Sequence, residues 1–332
     1  MAVALVANTP LLEVRDLAIE FPTRGGTVHA VNRVSFDVQR GEIVGLVGET
    51  GCGKSVTARA LIGLTRSPGR LSSGTIAFEG EVLGGGSAPD WRRIRGSSVA
   101  LVPQNAVAAL NPVLRIGKQF ENALRAHGRG GPSAMHAARD MLGRVGISDP
   151  DRVLRSYAHE LSGGMAQRVV IGMATILAPR MLIADEPTSS LDLTIQRQIL
   201  DLLSDLSRRE SLAILVVTHD LGVVAQYCER VLVMYAGKIV EHGPVLEVMR
   251  APAHPYTRAL VAAIPVPGQR PTSLRGSLPD LVNYPPGCPF RDRCDMAVAE
   301  CASVEPPLLP NGPRMVACHV VNRGSGGTAR LG

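Results

Sequence analysis

The alternation of apolar and polar positions predicts two kinds of strand. Near the start, "LLEVRDLAIEF" and "VSFDV" alternate apolar with polar residues, and "GTVHAV" between them could form a further strand. Such alternation is typical of antiparallel strands with one buried face. The later segments "EIVGLVG", "RMLIAD" and "LAILVVTHD" are continuously apolar and rich in Ile, Leu and Val. Such runs are typical of parallel strands buried on both faces, so we predict an α/β core preceded by a small antiparallel sheet.

The remaining patterns predict the domain organisation. Helical spacing in "GKQFENALRAHG" and "AMHAARDMLGRVG" predicts a helical subdomain at about residues 105–178, inserted into the core. The segment "RVLVMYAGKIVEHG" predicts a hairpin with Ala236 and Gly237 at its turn. After residue 250 the chain carries 13 of its 24 prolines, a density that disfavours helices and central strands. We therefore expect a core domain at residues 1–250 and a small irregular domain at 251–332.

Composition limits which cellular compartment and which classes of partner the sequence favours. The net charge of +6 comes from scattered basic residues, and aromatic residues make up only 3% of the chain. Nucleic-acid binders need stacking rings or a concentrated basic stripe, so we expect no nucleic-acid partner. No apolar stretch approaches the roughly 20 residues that cross a bilayer, and the start lacks the basic residues of a secretion signal. The sequence thus favours the cytosol, where thiols stay reduced and clustered cysteines more often bind metal than form disulfides.

The segment "GLVGETGCGKS" predicts a phosphate-binding loop. It follows an apolar strand, precedes a helical segment, and matches the P-loop pattern G-x-x-x-x-G-K-[ST]. Backbone N–H groups of such a loop point at phosphates, Lys54 would bridge the β- and γ-phosphates, and the Ser55 hydroxyl would bind Mg²⁺. Cys52 needs no chemical role there, because it is simply a small residue that fits. The residues predicted to contact ATP are Gly48, Glu49, Thr50, Gly51, Cys52, Gly53, Lys54, Ser55 and Val56.

Two further strand ends carry candidate catalytic groups. The strand in "MLIADEP" ends in two carboxylates, at the edge where open α/β sheets bind ligands. Asp185 would hold Mg²⁺ through water, and Glu186 would orient and polarise the attacking water. His219 in "LVVTHD" lies just past another apolar strand and could contact the γ-phosphate or the water.

The segment "HELSGGMAQRVVIGMA" resembles the signature motif of ATP-binding-cassette (ABC) ATPases, on the residues Leu161, Ser162, Gly163, Gly164 and Gln167. Ser162 is a favourable N-cap, and a positive helix end with two glycine amides would form a second phosphate clamp. In the family this clamp contacts the ATP that another nucleotide-binding domain holds. The resemblance therefore implies a second nucleotide-binding subunit, identical or related, as a partner.

The other family motifs follow in order. Gln104 in "LVPQN" resembles the glutamine that binds Mg²⁺ and senses the γ-phosphate, and Asp192 ends a segment that resembles the D-loop. Phe21 is the best candidate for the aromatic ring that stacks on adenine, with a core phenylalanine as the alternative. The resemblance implies Mg²⁺ ligands at Ser55, Gln104 and Asp185. It also implies a RecA-like core with an antiparallel β-subdomain. One departure is Asn105-Ala106, where the family usually has Asp-Pro, so we expect a different turn after Gln104.

Within ABC proteins, the chain resembles the ATP-binding subunits of oligopeptide, dipeptide and nickel importers. The segments "ALNPVLRIGKQ" and "HPYTRAL", Met165 and the cysteine-bearing end carry this resemblance. It implies ATP-driven import of peptides at the cytoplasmic face of the cell membrane, with two membrane-spanning permease subunits and an extracytoplasmic substrate-binding protein. Nickel or another small cargo is an alternative. Less favoured are a non-transport ABC ATPase, which usually carries two cassettes or long coiled coils, and an exporter, which usually fuses the cassette to membrane spans.

Four of the six cysteines, Cys288, Cys294, Cys301 and Cys318, lie near the end of the chain with the spacing C-x5-C-x6-C-x16-C. This spacing matches neither the C-x2-C pairs of most zinc sites nor the ferredoxin runs. From the residues alone, an iron–sulfur cluster, a zinc site and uncoordinated thiols all stay open. The resemblance to dipeptide-type subunits implies a [4Fe–4S] cluster on these cysteines. Nothing else in the sequence indicates an electron-transfer partner, which favours a structural over a redox role. His319 beside Cys318 is favoured as a bystander, with a role as substitute ligand as the alternative.

Overall fold

The computed structural model describes residues 9–84, 90–264 and 274–325 of the 332-residue chain. The strands of these residues are β1 (Leu12–Thr23), β2 (Gly26–Val38), β3 (Ile43–Val47), β4 (Arg70–Phe78), β5 (Glu81–Gly84), β6 (Val99–Val102), β7 (Met181–Asp185), β8 (Ala213–Thr218), β9 (Arg230–Tyr235), β10 (Lys238–Pro244), β11 (Leu309–Asn311) and β12 (Arg314–Val316). The helices are α1 (Lys54–Ala60), α2 (Trp91–Ile94), α3 (Ala106–Ala109), α4 (Ile116–Ala126), α5 (Pro132–Arg144), α6 (Pro150–Arg155), α7 (Gly163–Thr175), α8 (Leu193–Glu210), α9 (Leu221–Tyr227), α10 (Val245–Arg250), α11 (Pro255–Ala262) and α12 (His319–Ser325). None of these helices is long and apolar enough to cross a membrane.

The described residues form two compact units. The first contains the described parts of residues 1–39, 44–89 and 218–332, and the second contains residues 40–43 and 90–217.

An antiparallel sheet with the strand order β2-β1-β4-β5 opens the first unit. The buried side chains of Val14, Leu17 and Ile19 alternate with more exposed ones along β1, as predicted. The segments "GTVHAV" and "VSFDV" belong to one strand, β2, rather than to two. Arg33 has a φ of 53° within it, and the register with β1 shifts nearby. A bulge therefore bends this strand without ending it.

A second sheet of the first unit supports the candidate site. β3 runs parallel to β9, and β9 and β10 form the predicted antiparallel hairpin. Its turn residues, Ala236 and Gly237, have φ values of 47° and 80°, which a two-residue hairpin turn requires. All five residues of β3 are buried, in keeping with their continuous apolar sequence.

The residues after 250 are largely irregular, as predicted, but they are packed onto this sheet. β12 pairs with β10, and β11 pairs with β12, so the tail adds two strands. Cys288, Phe290 and Cys301 belong to one apolar cluster with Tyr235 and other buried core residues. The expectation that proline excludes helices fails at α11, because Pro255 occupies its first turn, where a missing N–H costs nothing.

The second unit contains the parallel strands that the apolar runs predict. β6 pairs with β7, and β7 with β8, both in parallel. Every residue of β7 is buried. Helices α3 to α7 lie between β6 and β7 along the chain, and they bury Phe120, Met141 and Val169 among other apolar residues. The limits of the helical subdomain, 105–178, and the division at residue 250 remain predictions.

A buried carboxylate anchors the tail to β10. Glu241 has no exposed surface, and its two carboxylate oxygens accept hydrogen bonds from the backbone N–H groups of Ala253 (3.0 Å) and His254 (2.8 Å). Arg314 Nη1 lies 3.7 Å from the same carboxylate. His254 in turn caps α11 through its Nδ1, which accepts from Tyr256 N–H at 3.0 Å. Burial lowers the pKa of His254 to about 3, so this cap is a neutral imidazole.

We predict that Glu241→Ala lowers the free energy of unfolding by about 3 kcal/mol, because it leaves two buried backbone N–H groups without their acceptor and removes the negative charge beside Arg314. Urea denaturation measures the loss. Glu247→Ala is the matched control, since that carboxylate on α10 is exposed, and its removal should cost less than about 1 kcal/mol. Equal losses in the two variants would contradict the anchoring role.

Candidate functional site

The glycine-rich loop of the first unit runs from the end of β3 to the start of α1. Gly48 and Gly53 have φ values of 155° and 109°. A Cβ on Gly48 would lie 2.1 Å from the carbonyl oxygen of Met234, and one on Gly53 would lie 2.4 Å from that of Ala30. The loop therefore needs glycine at both positions, because its backbone touches the backbone of two neighbouring strands.

The loop curls around Lys54. The Nζ of this buried residue donates to the carbonyl oxygens of Gly48 (2.7 Å) and Glu49 (3.0 Å). Cys52 is fully buried, and burial raises the pKa of its thiol, in keeping with a packing residue that has no chemical role. Of the other predicted ATP contacts, Thr50 and Gly51 are exposed, whereas Ser55 and Val56 are half-buried. The result is an ammonium group inside a ring of backbone, next to the start of a helix, which suits an anionic ligand.

Two residues of this loop region were missed from the sequence. Tyr256 on α11 accepts a hydrogen bond from Glu49 N–H at 2.9 Å. Arg293 binds the Glu49 carboxylate with two nitrogens, at 2.7 and 2.9 Å. No local pattern could have indicated either contact, because both partners lie more than 200 positions along the chain from Glu49.

Phe21 lies on β1, opposite Val28 of β2, and is half-buried. Its ring packs against Gly69, where a Cβ would approach the ring to 2.4 Å. Its predicted stacking on adenine stays a prediction.

The candidate catalytic carboxylate lies in the second unit, at the end of β7. Asp185 is 1% exposed, and Glu186 follows it with a φ of 48°. Glu186 N–H donates to the carbonyl of Val217 at 2.8 Å, so the strained backbone is fixed by β8. Gln104 Nε2 donates to Glu186 Oε2 at 2.8 Å. The structure thus brings together Gln104 and Glu186, which are 82 positions apart.

The turn after Gln104 is built on Asn105. The Asn105 side chain caps the short helix α3 and accepts from Ala108 N–H at 3.0 Å. His219, in the first unit, is exposed just past the end of β8.

The signature segment forms the predicted helix start in the second unit. Ser162 is the N-cap of α7, and its hydroxyl accepts from Met165 N–H at 3.3 Å. Gly163 is exposed and Gly164 half-buried, so this positive helix end faces outward. Gln167 differs, because it is 3% exposed, and its Nε2 is among the buried polar atoms without a hydrogen-bond partner. Asp192 caps α8 through hydrogen bonds from two backbone N–H groups, at 3.1 and 3.0 Å.

The four clustered cysteines are unpaired thiols in the first unit. Cys288, Cys301 and Cys318 are buried, Cys294 is half-buried, and Cys288 N–H donates to the Cys301 carbonyl at 2.9 Å. Burial, with a smaller contribution from the charges of the other three thiols, raises the pKa of Cys288 to about 11. His319 Nε2 lies 2.9 Å from the carbonyl of Val304. Among the described residues, no three His, Cys, Asp or Glu side chains form a group that could hold a metal ion.

Known sequences and structures match this chain over most of its length. Residues 31–189 match the ABC transporter family, and residues 240–301 match the C-terminal region of oligopeptide/dipeptide transporters. The "Dipeptide transport ATP-binding protein DppD" of Haemophilus influenzae is 42% identical over 93% of this chain and 95% of that protein. The protein of the same name from Bacillus subtilis is 44% identical over 89% of this chain and 90% of that protein.

A solved structure supports the fold. A dimeric ATP-binding cassette in a post-hydrolysis state, bound to ADP and Pi, is 24% identical, with a TM-score of 0.63 over 70% of this chain and 98% of that chain. The chain belongs to the ABC transporter family, in the branch whose ATP-binding subunits carry the oligopeptide/dipeptide transporter C-terminal region.

Proposed function

We propose that this chain is the ATP-hydrolysing subunit of a binding-protein-dependent ABC importer of di- and oligopeptides. The observation that carries this proposal is the similarity, over 93% of the chain, to a protein named for dipeptide transport. The geometry of the loop, the carboxylates and the signature helix supports the ATPase part of it. The match of residues 240–301 to the transporter-specific region supports the peptide part.

The nucleotide loop would bind the phosphates of ATP. Lys54 already has its ammonium among the loop carbonyls of Gly48 and Glu49, and a phosphate oxygen would replace these weaker acceptors. The N–H groups of the loop would add hydrogen bonds to the β-phosphate. We assign contact with ATP to residues 48–56, and stacking on adenine to Phe21.

Ser55, Gln104 and Asp185 are the residues that would hold Mg²⁺. Their donors are a hydroxyl, an amide oxygen and a carboxylate, which are hard oxygen ligands that this ion prefers. When bound, Mg²⁺ supplies positive charge to the oxygens of the β- and γ-phosphates.

Glu186 would act as the general base that orients and polarises the attacking water. Its carboxylate accepts from the Gln104 amide, and its backbone N–H is bound to Val217, so its position is restrained at both ends. His219 would contact the γ-phosphate. These residues would position the reacting groups and stabilise charge without forming a covalent bond to the substrate, as is typical of phosphoryl transfer.

A second nucleotide-binding subunit would complete each ATP site. The outward helix end at Ser162, Gly163 and Gly164 suits the phosphates of an ATP held by the partner. We also assign Asp192, at the start of α8, to the contact with the partner's ATP. The sequence also predicted a contact from Gln167. Its burial argues against that contact, because the side chain would have to leave the interior of its unit.

The chain would act at the cytoplasmic face of the cell membrane, bound to two membrane-spanning permease subunits. An extracytoplasmic substrate-binding protein would deliver the peptide. ATP binding would close the dimer of ATPase subunits, and hydrolysis would reset it. The work available to the permeases is limited by the difference in ATP affinity between the two arrangements.

We also propose a [4Fe–4S] cluster on Cys288, Cys294, Cys301 and Cys318, in a small C-terminal domain that spans residues 251–332. Four free thiols in one unit are the donor type that such a cluster needs. As the structure places the described residues, no three of these side chains form a metal-holding group, so binding would have to draw the thiols closer together. A bound cluster would supply positive charge and a cross-link between distant points of the tail. Zinc on the same thiols is the competing reading.

We predict that Glu186→Gln lowers the rate of ATP hydrolysis by at least about a hundredfold, because a general base contributes that much or more to the reaction. ATP binding should persist, since the variant keeps the size of the side chain and the nucleotide loop is untouched. Phosphate release and nucleotide titration measure the two effects. Glu121→Gln, which removes a carboxylate on α4 that pairs with Lys118, is the matched control and should hydrolyse ATP normally. Near-normal hydrolysis by Glu186→Gln would overturn the assigned role.

The cargo is tested by uptake into proteoliposomes that contain this chain, its permease subunits and its binding protein. We expect ATP-dependent accumulation of a radiolabelled dipeptide, and no accumulation with Glu186→Gln. Accumulation of ⁶³Ni²⁺ instead of peptide would replace peptide with nickel as the cargo.

Metal and sulfide analysis of anaerobically purified protein tests the cluster. We expect about four irons and four acid-labile sulfides per chain, with visible absorption that is lost when Cys301 is changed to Ser. A Cys52→Ser change is the control, because that thiol lies in the nucleotide loop and should leave the iron content unchanged. Zinc without iron would contradict the cluster.

A further inference from the structure

Glu49 occupies a position of the nucleotide loop that the P-loop pattern leaves open, yet it is held at both ends. Its main-chain N–H donates to the hydroxyl of Tyr256 at 2.9 Å. Its carboxylate accepts two hydrogen bonds from Arg293, from Nη1 at 2.7 Å and from Nη2 at 2.9 Å. Both partners come from residues after 250, and all three residues lie in the first unit.

The side chain of Arg293 is also held by contacts other than the one with the loop. Its side chain is 7% exposed, and its Nε donates to the carbonyl oxygen of Arg275 at 2.7 Å. The guanidinium also lies 5.6 Å from the ring centre of Tyr235 and 5.7 Å from that of Phe290. A guanidinium that is already oriented loses little freedom when it binds a carboxylate with two parallel hydrogen bonds. This ion pair is therefore a firm attachment rather than a mobile surface pair.

The attachment reaches the phosphate-binding group through the backbone. The carbonyl oxygen of Glu49 accepts a hydrogen bond from Lys54 Nζ at 3.0 Å, and the carboxylate of the same residue is bound to Arg293. Its N–H, held by Tyr256, points away from the inside of the loop toward α11. One residue thus joins the lysine of the loop to the C-terminal residues.

We propose that Arg293 is a positioning residue for nucleotide binding, which holds the first half of the nucleotide loop through Glu49. This inference rests on the proposed function, because it assumes that the loop binds ATP. It adds that residues outside the matched cassette set the affinity of that loop. By reciprocity, a bound nucleotide stabilises the segment around Arg293 by the same factor by which that segment tightens nucleotide binding.

The cysteine region is the part of the chain that this coupling would involve. Arg293 ends the 3₁₀ turn Arg291–Arg293 and directly precedes Cys294, and Cys294 N–H donates back to the Arg291 carbonyl at 3.2 Å. Whatever fixes this turn also fixes the guanidinium. The order of the cysteine segment and the occupancy of the nucleotide loop are therefore expected to favour each other.

Arg293→Gln and Glu49→Gln test the inference in the full-length chain. The dissociation constant for MgATP is measured by titration with a fluorescent ATP analogue, and kcat and KM are measured from phosphate release. We expect the dissociation constant and KM to rise about tenfold in either variant, from the loss of one charge-assisted hydrogen-bond pair. For Arg293→Gln the kcat should stay within about twofold, because that side chain is not assigned to contact ATP or the reacting atoms. The double variant should bind no more weakly than either single variant, since the two changes remove one interaction.

Arg291→Gln is the matched control. This neighbouring arginine donates to the carbonyl oxygens of Pro286 and Ala302, so it supports the same segment without touching the loop. It should raise the dissociation constant for MgATP much less than Arg293→Gln does, because it leaves the Arg293 guanidinium paired with Glu49. Arg293→Lys keeps the charge but not the paired hydrogen bonds, and we expect it to recover only part of the affinity.

Hydrogen exchange of residues 288–294 measures the reciprocal effect. We expect MgATP to slow exchange there in the unaltered chain and in Arg291→Gln, and to have no such effect in Arg293→Gln. If the unaltered chain binds MgATP and both Arg293→Gln and Glu49→Gln bind it equally well, the inference is wrong while the proposed function stands. If the unaltered chain binds no nucleotide, both are wrong.

Discussion

The close approach of the nucleotide loop to the strands beside it is the constraint on which the candidate site depends. Because the loop backbone touches the carbonyl oxygens of Met234 and Ala30, Gly48 and Gly53 cannot carry a side chain. That contact forces the chain to curl, and the curl places the Lys54 ammonium among loop carbonyls. The strands make this approach possible by being buried and regular: β3 and β9 are parallel neighbours, and the β9-β10 turn closes over the loop, where Gly237 N–H donates to the Cys52 carbonyl at 2.8 Å.

The sequence predicted those features that depend on local chemistry. Continuous apolar runs identified the parallel strands, because a strand buried on both faces has no polar side. Helix caps could also be predicted: Ser162 is the N-cap of α7, as its hydroxyl and its position before a helical pattern indicated. The bend of β2 at Arg33 and the α11 helix were not legible, because the first depends on pairing with β1 and the second on the exact place of Pro255 in a proline-rich stretch.

Long-range contacts account for what the sequence could not predict. Glu49 and Arg293 are 244 positions apart, and nothing near either residue indicates the other. The hydrogen bond from the Gln104 amide to the Glu186 carboxylate was likewise not predicted. The sequence identified both residues as candidates, but neither motif indicated that they touch. Gln167 shows a different limit: the motif identifies the residue, but only the packing of α7 shows that its side chain is buried.

The C-terminal residues are best understood as part of the nucleotide-binding unit rather than as an appendage. Glu241 holds the start of the tail from within β10, β12 extends that sheet, and Tyr256 and Arg293 both bind Glu49. A chain segment with so many prolines has little core of its own, and it gains order from the surface on which it lies. Because the tail is fixed against the sheet, the guanidinium of Arg293 is also fixed, and it can restrain the nucleotide loop through Glu49. Two residues of the segment that matches the oligopeptide/dipeptide transporter C-terminal region, Tyr256 and Arg293, are thus in direct contact with the nucleotide loop.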